Sequence, residues 1–295
     1  MVASAFSPSV AQKNKQNRGV ENMFREMLEN VKNRHPLIHN ITNYVTVNDC
    51  ANVLLACGGS PIMSDEIEDV EDITSICGGL TINIGTLNRR TIPAMFAAGA
   101  KAAALGHPIV LDPVGAGASA LRTNTALQLM EKIPFTVIRG NISEIKTLAK
   151  GAGTTKGVDA DAADRVTEDN LEQSAAFVKA LAASTNAVIA VTGAIDIVAD
   201  KERAYVIYNG HPMMGAITGA GCQLSCLTAA YVTANPGAPL QAAAAAVCAM
   251  GICGEIARER MGRQDGNASY RNYLIDAMYN LDGGTLEQRA NYKSL

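Results

Sequence analysis

Residues 109–117 read Ile-Val-Leu-Asp-Pro-Val-Gly-Ala-Gly, a short apolar run that ends in an acidic residue and a glycine-containing loop. A run that is apolar at successive positions is typical of a central strand covered by helices on both faces. Four other runs follow the same design, at residues 37–41, 80–84, 135–139 and 188–192. Since each leads into a polar or glycine-containing loop, the five runs predict parallel strands whose loops gather at one edge of a sheet.

Helical patterns fill the spaces between these runs. Apolar residues recur at helical spacing in nine segments, at residues 21–33, 45–56, 92–105, 119–131, 142–149, 170–183, 223–233, 240–260 and 270–280. The alternation of strand and helix predicts a mostly parallel, doubly wound sheet, with one hairpin at residues 195–199 and 204–208. The predicted fold class is α/β, three layers in which a mostly parallel sheet carries helices on both faces.

Composition favours one domain in a reducing compartment. The chain has 295 residues, and a compact domain of this size buries roughly three quarters of its unfolded surface. We predict a flexible N-terminal tail at residues 1–19 and a single domain at residues 20–295. The seven cysteines include no Cys-x-x-Cys pair, so they predict buried, reduced thiols rather than zinc ligands. We see no signal-peptide core and no apolar stretch of ~18 residues, and predict a cytoplasmic protein.

Charge and motifs argue against several functional classes. The net charge is −3, both signs are scattered, and 4% of the residues are aromatic, which disfavours nucleic acid or an anionic membrane as a partner. The chain lacks the GxxxxGK[ST] phosphate loop and the GxSxG elbow of α/β-hydrolases. Residues 115–120 match the dinucleotide pattern GxGxxA, but Asp112 and Pro113 directly before them would set a negative charge and a stiff turn against a pyrophosphate.

Residues 218–222 (TGAGC) are the first segment that could carry chemistry. Two glycines before a helix let several backbone N–H groups point at one ligand, and a helix N-terminus adds about half a positive charge. Gly219, Ala220 and Gly221 could thus stabilise a transferring phosphoryl group. The same glycines could instead serve only a tight turn or close helix packing, and the segment alone does not decide between the two.

Two acidic residues could face this anion site. Asp112 ends the most apolar strand, and Glu144 lies three residues after Asn141, just beyond the strand at residues 135–139. Together they could hold a hydrated Mg²⁺ bound to nucleotide phosphates, because Mg²⁺ prefers oxygen ligands and keeps much of its water. Each has a structural alternative: Asn141 and Glu144 have the spacing of a helix capping box, and Asp112 could cap a turn.

These features, in this order, resemble the ribokinase-like superfamily and, within it, the hydroxyethylthiazole kinase family. The shared phrases are residues 39–43 (HNITN), 59–63 (GSPIM), 80–87 (LTINIGTL), 111–116 (LDPVGA), 139–144 (RGNISE) and 218–222 (TGAGC). The resemblance implies phosphorylation of 4-methyl-5-(2-hydroxyethyl)thiazole by MgATP in the thiamine pathway. It also implies a homotrimer whose active sites are shared between neighbours, with Met63 reaching across an interface.

The resemblance further implies roles for single residues. The implied thiazole contacts are Met63, Asn43, Val45, Gly85 and Gly219. The implied nucleotide contacts are Arg139, Thr192 and Asn141. The implied magnesium-side carboxylates are Asp112 and Glu144, acting through water, and the implied catalytic segment is Gly219, Ala220, Gly221 and Cys222. A flat, neutral thiazole would suit an apolar slot around Met63, although Met63 could also be plain core.

Cys222 departs from the pattern of many ribokinase relatives, which have at this position an Asp that takes the proton of the attacking hydroxyl. A thiol is a poorer base, since its reference pKa is about 8.5; a helix N-terminus would lower that pKa and ATP phosphates would raise it again. We therefore expect Cys222 to shape the slot and at most to assist deprotonation, while transfer relies on positioning and electrostatics.

Three other functions are compatible with such a fold. An NAD(P)H-hydrate dehydratase is disfavoured by Cys222, because that family usually ends its glycine motif in Asp. A kinase for a pyrimidine alcohol would need more polar partners than the Met63 slot is expected to supply. A non-catalytic nucleotide-binding regulator would not need Asp112 and Glu144 together.

Overall fold

A computed structural model describes residues 23–151 and 165–295. Within them, one nine-stranded sheet has the order β2-β1-β3-β4-β5-β6-β7-β8-β9. The strands are β1 (Leu37–Ile41), β2 (Ser60–Met63), β3 (Gly79–Asn83), β4 (Ile109–Asp112), β5 (Val137–Asn141), β6 (Val188–Thr192), β7 (Asp196–Ala199), β8 (Ala204–Ile207) and β9 (Tyr292–Ser294). The pairings from β2 to β6 are parallel and those from β6 to β9 are antiparallel. The predicted mostly parallel α/β fold is confirmed.

Helices cover both faces of this sheet. The α-helices of the described residues are α1 (Met23–Arg34), α2 (Val47–Cys57), α3 (Val70–Ile76), α4 (Thr91–Leu105), α5 (Ala120–Lys132), α6 (Ile142–Gly151), α7 (Leu171–Thr185), α8 (Ala220–Ala234), α9 (Pro239–Arg260), α10 (Asn267–Asn280) and α11 (Gly283–Arg289). One hydrophobic core joins α1, α2, α8, α9 and α10 to the sheet, and a second core joins α3 to α7 to the opposite face. The predicted three-layer arrangement is therefore confirmed as well.

Most predicted elements lie within one or two residues of the observed ones. The strand predicted at residues 135–139 is shifted to Val137–Asn141, because Phe135 packs into the core before strand pairing begins. Four short elements were not predicted: β2, β9, α3 and α11. β2 contains Pro61, which argues against a central strand but is tolerated here because β2 lies at the edge of the sheet.

α9 shows why composition alone misleads about membranes. It is the one helix of the described residues that is long and apolar enough to cross a bilayer, so the expectation that no segment reaches this length was wrong. However, 83% of its apolar window is buried inside the protein, as is typical of a core helix.

The seven cysteines follow the prediction: all are free thiols, and six of them are buried. The predicted tail, residues 1–19, lies outside the described residues, and the single domain stays a prediction.

α8 runs across the sheet with its N-terminus at the carboxyl ends of the strands. Near its start, Ser225 contacts Asp112 at the end of β4. Near its end, Thr233 lies against the first residue of β3, where a Cβ on Gly79 would be 2.1 Å from the Thr233 Oγ1. Gly79 therefore lets the helix approach the sheet closely, and the approach brings residues 218–222 to the edge at which the polar loops gather.

Candidate active site

A hydrogen-bonded chain of side chains lies along this edge, centred on Asn83 at the end of β3. The Asn83 Oδ1 accepts from the Asn43 Nδ2 at 3.2 Å and from the backbone N–H of Gly85 at 2.9 Å. Its Nδ2 donates to the Asp112 Oδ2 at 2.8 Å, and the Asn43 Nδ2 also lies 3.1 Å from the Cys222 Sγ. We call these five residues the Asn83 network; it joins the implied substrate contacts Asn43 and Gly85 to the implied metal ligand.

Asp112 is completely buried in this network. Its Oδ2 accepts hydrogen bonds from Asn83 and from the Ser225 Oγ at 2.8 Å, and lies 3.5 Å from the Arg139 Nη1. Its Oδ1 has no hydrogen-bond partner among the described residues. Burial raises the pKa of Asp112 to about 6; the Arg139 guanidinium opposes the rise and the Glu144 carboxylate adds to it. A buried carboxylate with one unpaired oxygen is suited to a cation.

Arg139 brings the implied nucleotide contacts to the glycine segment. Its Nη2 donates to the Thr192 Oγ1 at 2.6 Å, across the neighbouring strands β5 and β6. A Cβ on Gly221 would lie 2.7 Å from both terminal nitrogens of the guanidinium. The guanidinium therefore packs directly on the backbone of residues 218–222, and glycine at position 221 is what makes the room.

Gly219 forms the turn into α8. It is the N-cap residue with φ 82°, a left-handed conformation that favours glycine. A Cβ there would also lie 2.4 Å from the Thr46 Cγ2. The tight-turn interpretation of this glycine is thus correct. The anion-site interpretation is compatible with it, because the same turn presents the N-terminus of a 15-residue helix to Arg139 and Asp112.

Glu144 is held by backbone N–H groups at the start of α6. Its Oε2 accepts from the Asn141 backbone at 2.8 Å, and the Asn141 Oδ1 accepts from the Glu144 backbone at 2.9 Å. This reciprocal pair is the capping box that the spacing predicted as an alternative. The Glu144 Oε1 reaches further, to the backbone N–H of Gly115 at 2.8 Å, and so ties α6 to the loop that follows Asp112.

The residues present fit a hydrated Mg²⁺ better than a closed metal cage. Among residues 23–151 and 165–295 there is no group of three or more His, Cys, Asp or Glu side chains that could hold a metal ion. Mg²⁺ commonly needs only one or two carboxylates when it arrives with nucleotide phosphates, because it keeps several waters. The unpaired Oδ1 of Asp112, with Glu144 near enough to affect its pKa, meets that need.

Cys222 lies at the first turn of α8 and is partly exposed. Burial raises the pKa of its thiol, and the negative charge of Asp112 raises it further. The expected lowering by the helix N-terminus is therefore not the net effect. A neutral thiol that accepts a hydrogen bond from Asn43 is poorly suited to be a general base, which agrees with the shaping role predicted for it.

A cavity of about 160 Å³ lies beside the Asn83 network. Met63 and Met95 line it, as does Val47, whereas the implied contact Val45 is 57% exposed at the turn before α2. The expected apolar slot is more polar than predicted; its polar lining residues are Asn40, Thr42, Tyr44, Ser64, Asp65, Asn83, Thr86, Asn88 and Thr91. Several of these pair with the protein itself, for example Ser64 with Asp69 at 2.5 Å, which reduces the polarity offered to a ligand.

Sequence reasoning missed three residues that the structure places here. Asn83 and Ser225 donate hydrogen bonds to Asp112. Arg122 contacts the loop after β3 and the loop after β4. The register of β3 on β4, which sets Asn83 directly beside Asp112, is the signal that could have identified Asn83. A larger cavity of about 410 Å³ lies at the opposite edge of the sheet, beside Phe135, and contains none of these residues.

Known proteins are similar in sequence to this chain over nearly its whole length. A family model described as the hydroxyethylthiazole kinase family matches residues 28–283. A hydroxyethylthiazole kinase of Clostridium acetobutylicum is 62% identical over 92% of this chain and 100% of its own length. A second, of Desulfovibrio desulfuricans, is 48% identical over 91% of this chain and 97% of its own length.

Solved structures give the same relationship. A hydroxyethylthiazole kinase protein of Pyrococcus horikoshii superposes with a TM-score of 0.82 at 35% identity, over 92% of this chain and 98% of that one. A ribokinase-like superfamily protein of Enterococcus faecalis has a TM-score of 0.58 at 11% identity, over 88% and 93% of the two chains, which supports the ribokinase-like fold alone. Together with the matched family model, these likenesses establish that the chain belongs to the hydroxyethylthiazole kinase family.

Proposed function

We propose that the protein transfers the γ-phosphoryl group of ATP to the hydroxyl of 4-methyl-5-(2-hydroxyethyl)thiazole. The observation that carries the proposal is the Asn83 network, which joins a slot large enough for a small ring to a buried carboxylate and to the first turn of α8. The relative that is 62% identical bears the name of this activity.

On the alcohol side, Asn43 and Gly85 would orient the substrate and Met63 would contact its ring. The Asn83 Oδ1 fixes both Asn43 and Gly85, and Asn83 itself lines the slot, so the two residues are held in place beside the slot. The Cys222 thiol, which lies 3.1 Å from the Asn43 Nδ2, would limit the poses of the ethanol arm.

On the phosphate side, Arg139 and Thr192 would hold the nucleotide phosphates, with Asn141 next to them at the end of β5. The backbone of Gly219, Ala220 and Gly221 would face the transferring group. The hydroxyl oxygen forms a bond to the γ-phosphorus while the bond from that phosphorus to the bridging oxygen of ADP breaks. Because this transition state is loose, the hydroxyl can keep its proton until transfer is well advanced. The proton then leaves to water or to a phosphate oxygen, so the neutral Cys222 thiol need not accept it.

Asp112 and Glu144 would hold Mg²⁺ through water on the same side. When bound, Mg²⁺ neutralises charge on the β- and γ-phosphates. Asp112 would face it with its unpaired Oδ1, and Glu144 would face it from the capped start of α6. Arg139, which touches both Asp112 and Thr192, would keep the Asp112 carboxylate and the phosphates in register.

We also propose that the protein is a homotrimer whose active sites lie between neighbouring chains. Apolar side chains next to the slot support this: Tyr44 is 77% exposed and Val45 57% exposed, immediately after the substrate-side Asn43. Ile76 at the end of α3 is 65% exposed. A neighbour covering Val45 would explain its implied substrate contact.

Multi-angle light scattering tests the proposed homotrimer and should give three chains per particle. A monomer that is fully active would contradict the proposal. A cytoplasmic location stays a prediction.

Phosphorus NMR with ATP and Mg²⁺ tests the proposed reaction. Supplied with the thiazole alcohol, the protein should form one phosphate ester for each ADP. A pyrimidine alcohol and hydrated NADH are the matched alternative substrates, and both should turn over far more slowly. Inorganic phosphate with repaired NADH and no ester would identify a dehydratase instead, and faster turnover of the pyrimidine alcohol would reassign the substrate.

A further inference from the structure

We propose that Arg122 is a positioning residue of the phosphoryl-transfer site, an inference that rests on the proposed function. Its guanidinium bridges the loop after β3, which carries the alcohol side, and the loop after β4, which carries the cation side. Fixing these two loops to each other sets the distance over which the phosphoryl group must travel.

Arg122 lies in the first turn of α5, where its backbone N–H donates to the N-cap Ser119 Oγ at 3.3 Å. From there the side chain reaches two loops. Its Nη2 donates to the Gly85 carbonyl at 2.8 Å, and its Nη1 lies 3.4 Å from the Val114 carbonyl. The planar fork of a guanidinium can direct one N–H at each carbonyl, whereas the single ammonium of a lysine cannot hold both in the same geometry.

The fit at Gly115 shows that room is kept for this guanidinium. A Cβ at position 115 would lie 2.2 Å from the Arg122 Nη1. Gly115 also has φ 74°, which favours glycine for a second reason. The side chain of Arg122 therefore lies directly against the loop backbone rather than extending into solvent.

Each loop continues into the site. In the loop after β3, the backbone N–H of Gly85 donates to Asn83, and Asn83 in turn donates to Asp112. In the loop after β4, the backbone N–H of Gly115, next to Val114, donates to the Glu144 Oε1. Arg122 thus contacts the Asn83 network directly, through the Gly85 carbonyl, and is linked to the Glu144 carboxylate through the loop at Val114 and Gly115, without touching either group that reacts.

The contacts of Arg122 favour a geometric role over an electrostatic one. Both acceptors are backbone carbonyls, and Arg122 takes part in none of the ion pairs found among residues 23–151 and 165–295. Loss of Arg122 should therefore let the two loops drift apart.

Arg122→Met, Arg122→Lys and Arg122→Ala test the proposal, with the exposed Arg263→Met as the matched control. We expect Arg122→Met to lower kcat about 10- to 100-fold, because misplacement of about 1 Å can cost 100-fold. KM for the alcohol and the melting temperature should stay near those of wild type. Arg122→Lys should remain well below wild type, since it keeps the charge but not the bridge.

Chemical rescue separates positioning from folding. Guanidinium ion at low, non-denaturing concentration should restore part of the activity of Arg122→Ala and should leave the activity of Arg263→Met unchanged. A kcat of Arg122→Met within about twofold of wild type would overturn the inference, as would a loss that follows the melting temperature in all three variants. An inactive wild-type protein would overturn the proposed function itself, whereas an active wild type with unaffected Arg122 variants overturns only this inference.

Discussion

Asp112 and Glu144 lie at the same edge of the sheet but in opposite surroundings. Glu144 is at the start of a helix, and both its oxygens accept backbone N–H groups. Asp112 is fully buried at the end of a strand, its pKa is raised to about 6 and one of its oxygens is unpaired in the described structure. Local folding alone therefore accounts for the position of Glu144, whereas the burial of Asp112 opposes its ionisation and indicates a function.

The largest effect should come from removing the charge of Asp112. Asp112→Asn keeps an oxygen for Asn83 and Ser225 but loses the negative charge that attracts a cation, so we expect kcat/KM to fall about 1000-fold. A coupled assay of ADP release measures this fall in kcat/KM. Asp72→Asn, at an exposed position of α3, is the matched control, and its kcat/KM should be unchanged. Activity within about tenfold of wild type would remove Asp112 from the site.

A smaller loss is expected at Glu144, because its role is divided between capping and catalysis. Glu144→Gln keeps one acceptor for the capping box but loses the second, so Gly115 is released. We expect kcat to fall about 10- to 100-fold and unfolding in urea to cost about 1 kcal/mol less than in wild type. If stability falls and kcat does not, Glu144 only caps the helix, and Asp112 is then the one of the two carboxylates that has a catalytic role.

Cys222 should matter less than either carboxylate. Because its pKa is raised, the thiol stays protonated and little thiolate is present to act as a base. Cys222→Ser should therefore lower kcat by about two- to tenfold, mainly by changing the slot. The pH dependence of kcat should keep its shape in the variant. Activity reduced to background would contradict the shaping role and make Cys222 the base.

The smallest effect is on the pH dependence of stability. The pKa of Asp112 is about 6 in the folded protein and near 3.8 when unfolded, so the stability tied to its proton is present below the lower value and is lost as pH rises through 6. Between about pH 5 and 7.5, Asp112→Asn should therefore gain about 1 kcal/mol relative to wild type in urea unfolding. Asp196, whose pKa burial raises to about 7, is common to both proteins and cancels. Parallel pH profiles would contradict the burial argument.

The sequence was informative where a function depends on a local pattern. Asp112 at a strand end, the spacing of Asn141 and Glu144, and the glycines at 219 and 221 were all identified in this way. Asn83 was not singled out, because its role depends on the register of β3 against β4. Ser225 and Arg122 depend on how α8 and α5 cross the strand ends, which side-chain periodicity does not reveal. β2 was missed because Pro61 is unusual in strands except at an edge.

Binding of Mn²⁺ as a probe for Mg²⁺ in the presence of ADP tests most directly whether Asp112 is kept buried for a cation. Electron paramagnetic resonance of the free ion gives its affinity in wild type, Asp112→Asn and Glu144→Gln. We predict that Asp112→Asn weakens binding by at least about tenfold and that Glu144→Gln weakens it less. Equal affinity in wild type and Asp112→Asn would contradict the cation site, and with it the explanation of why this carboxylate is buried.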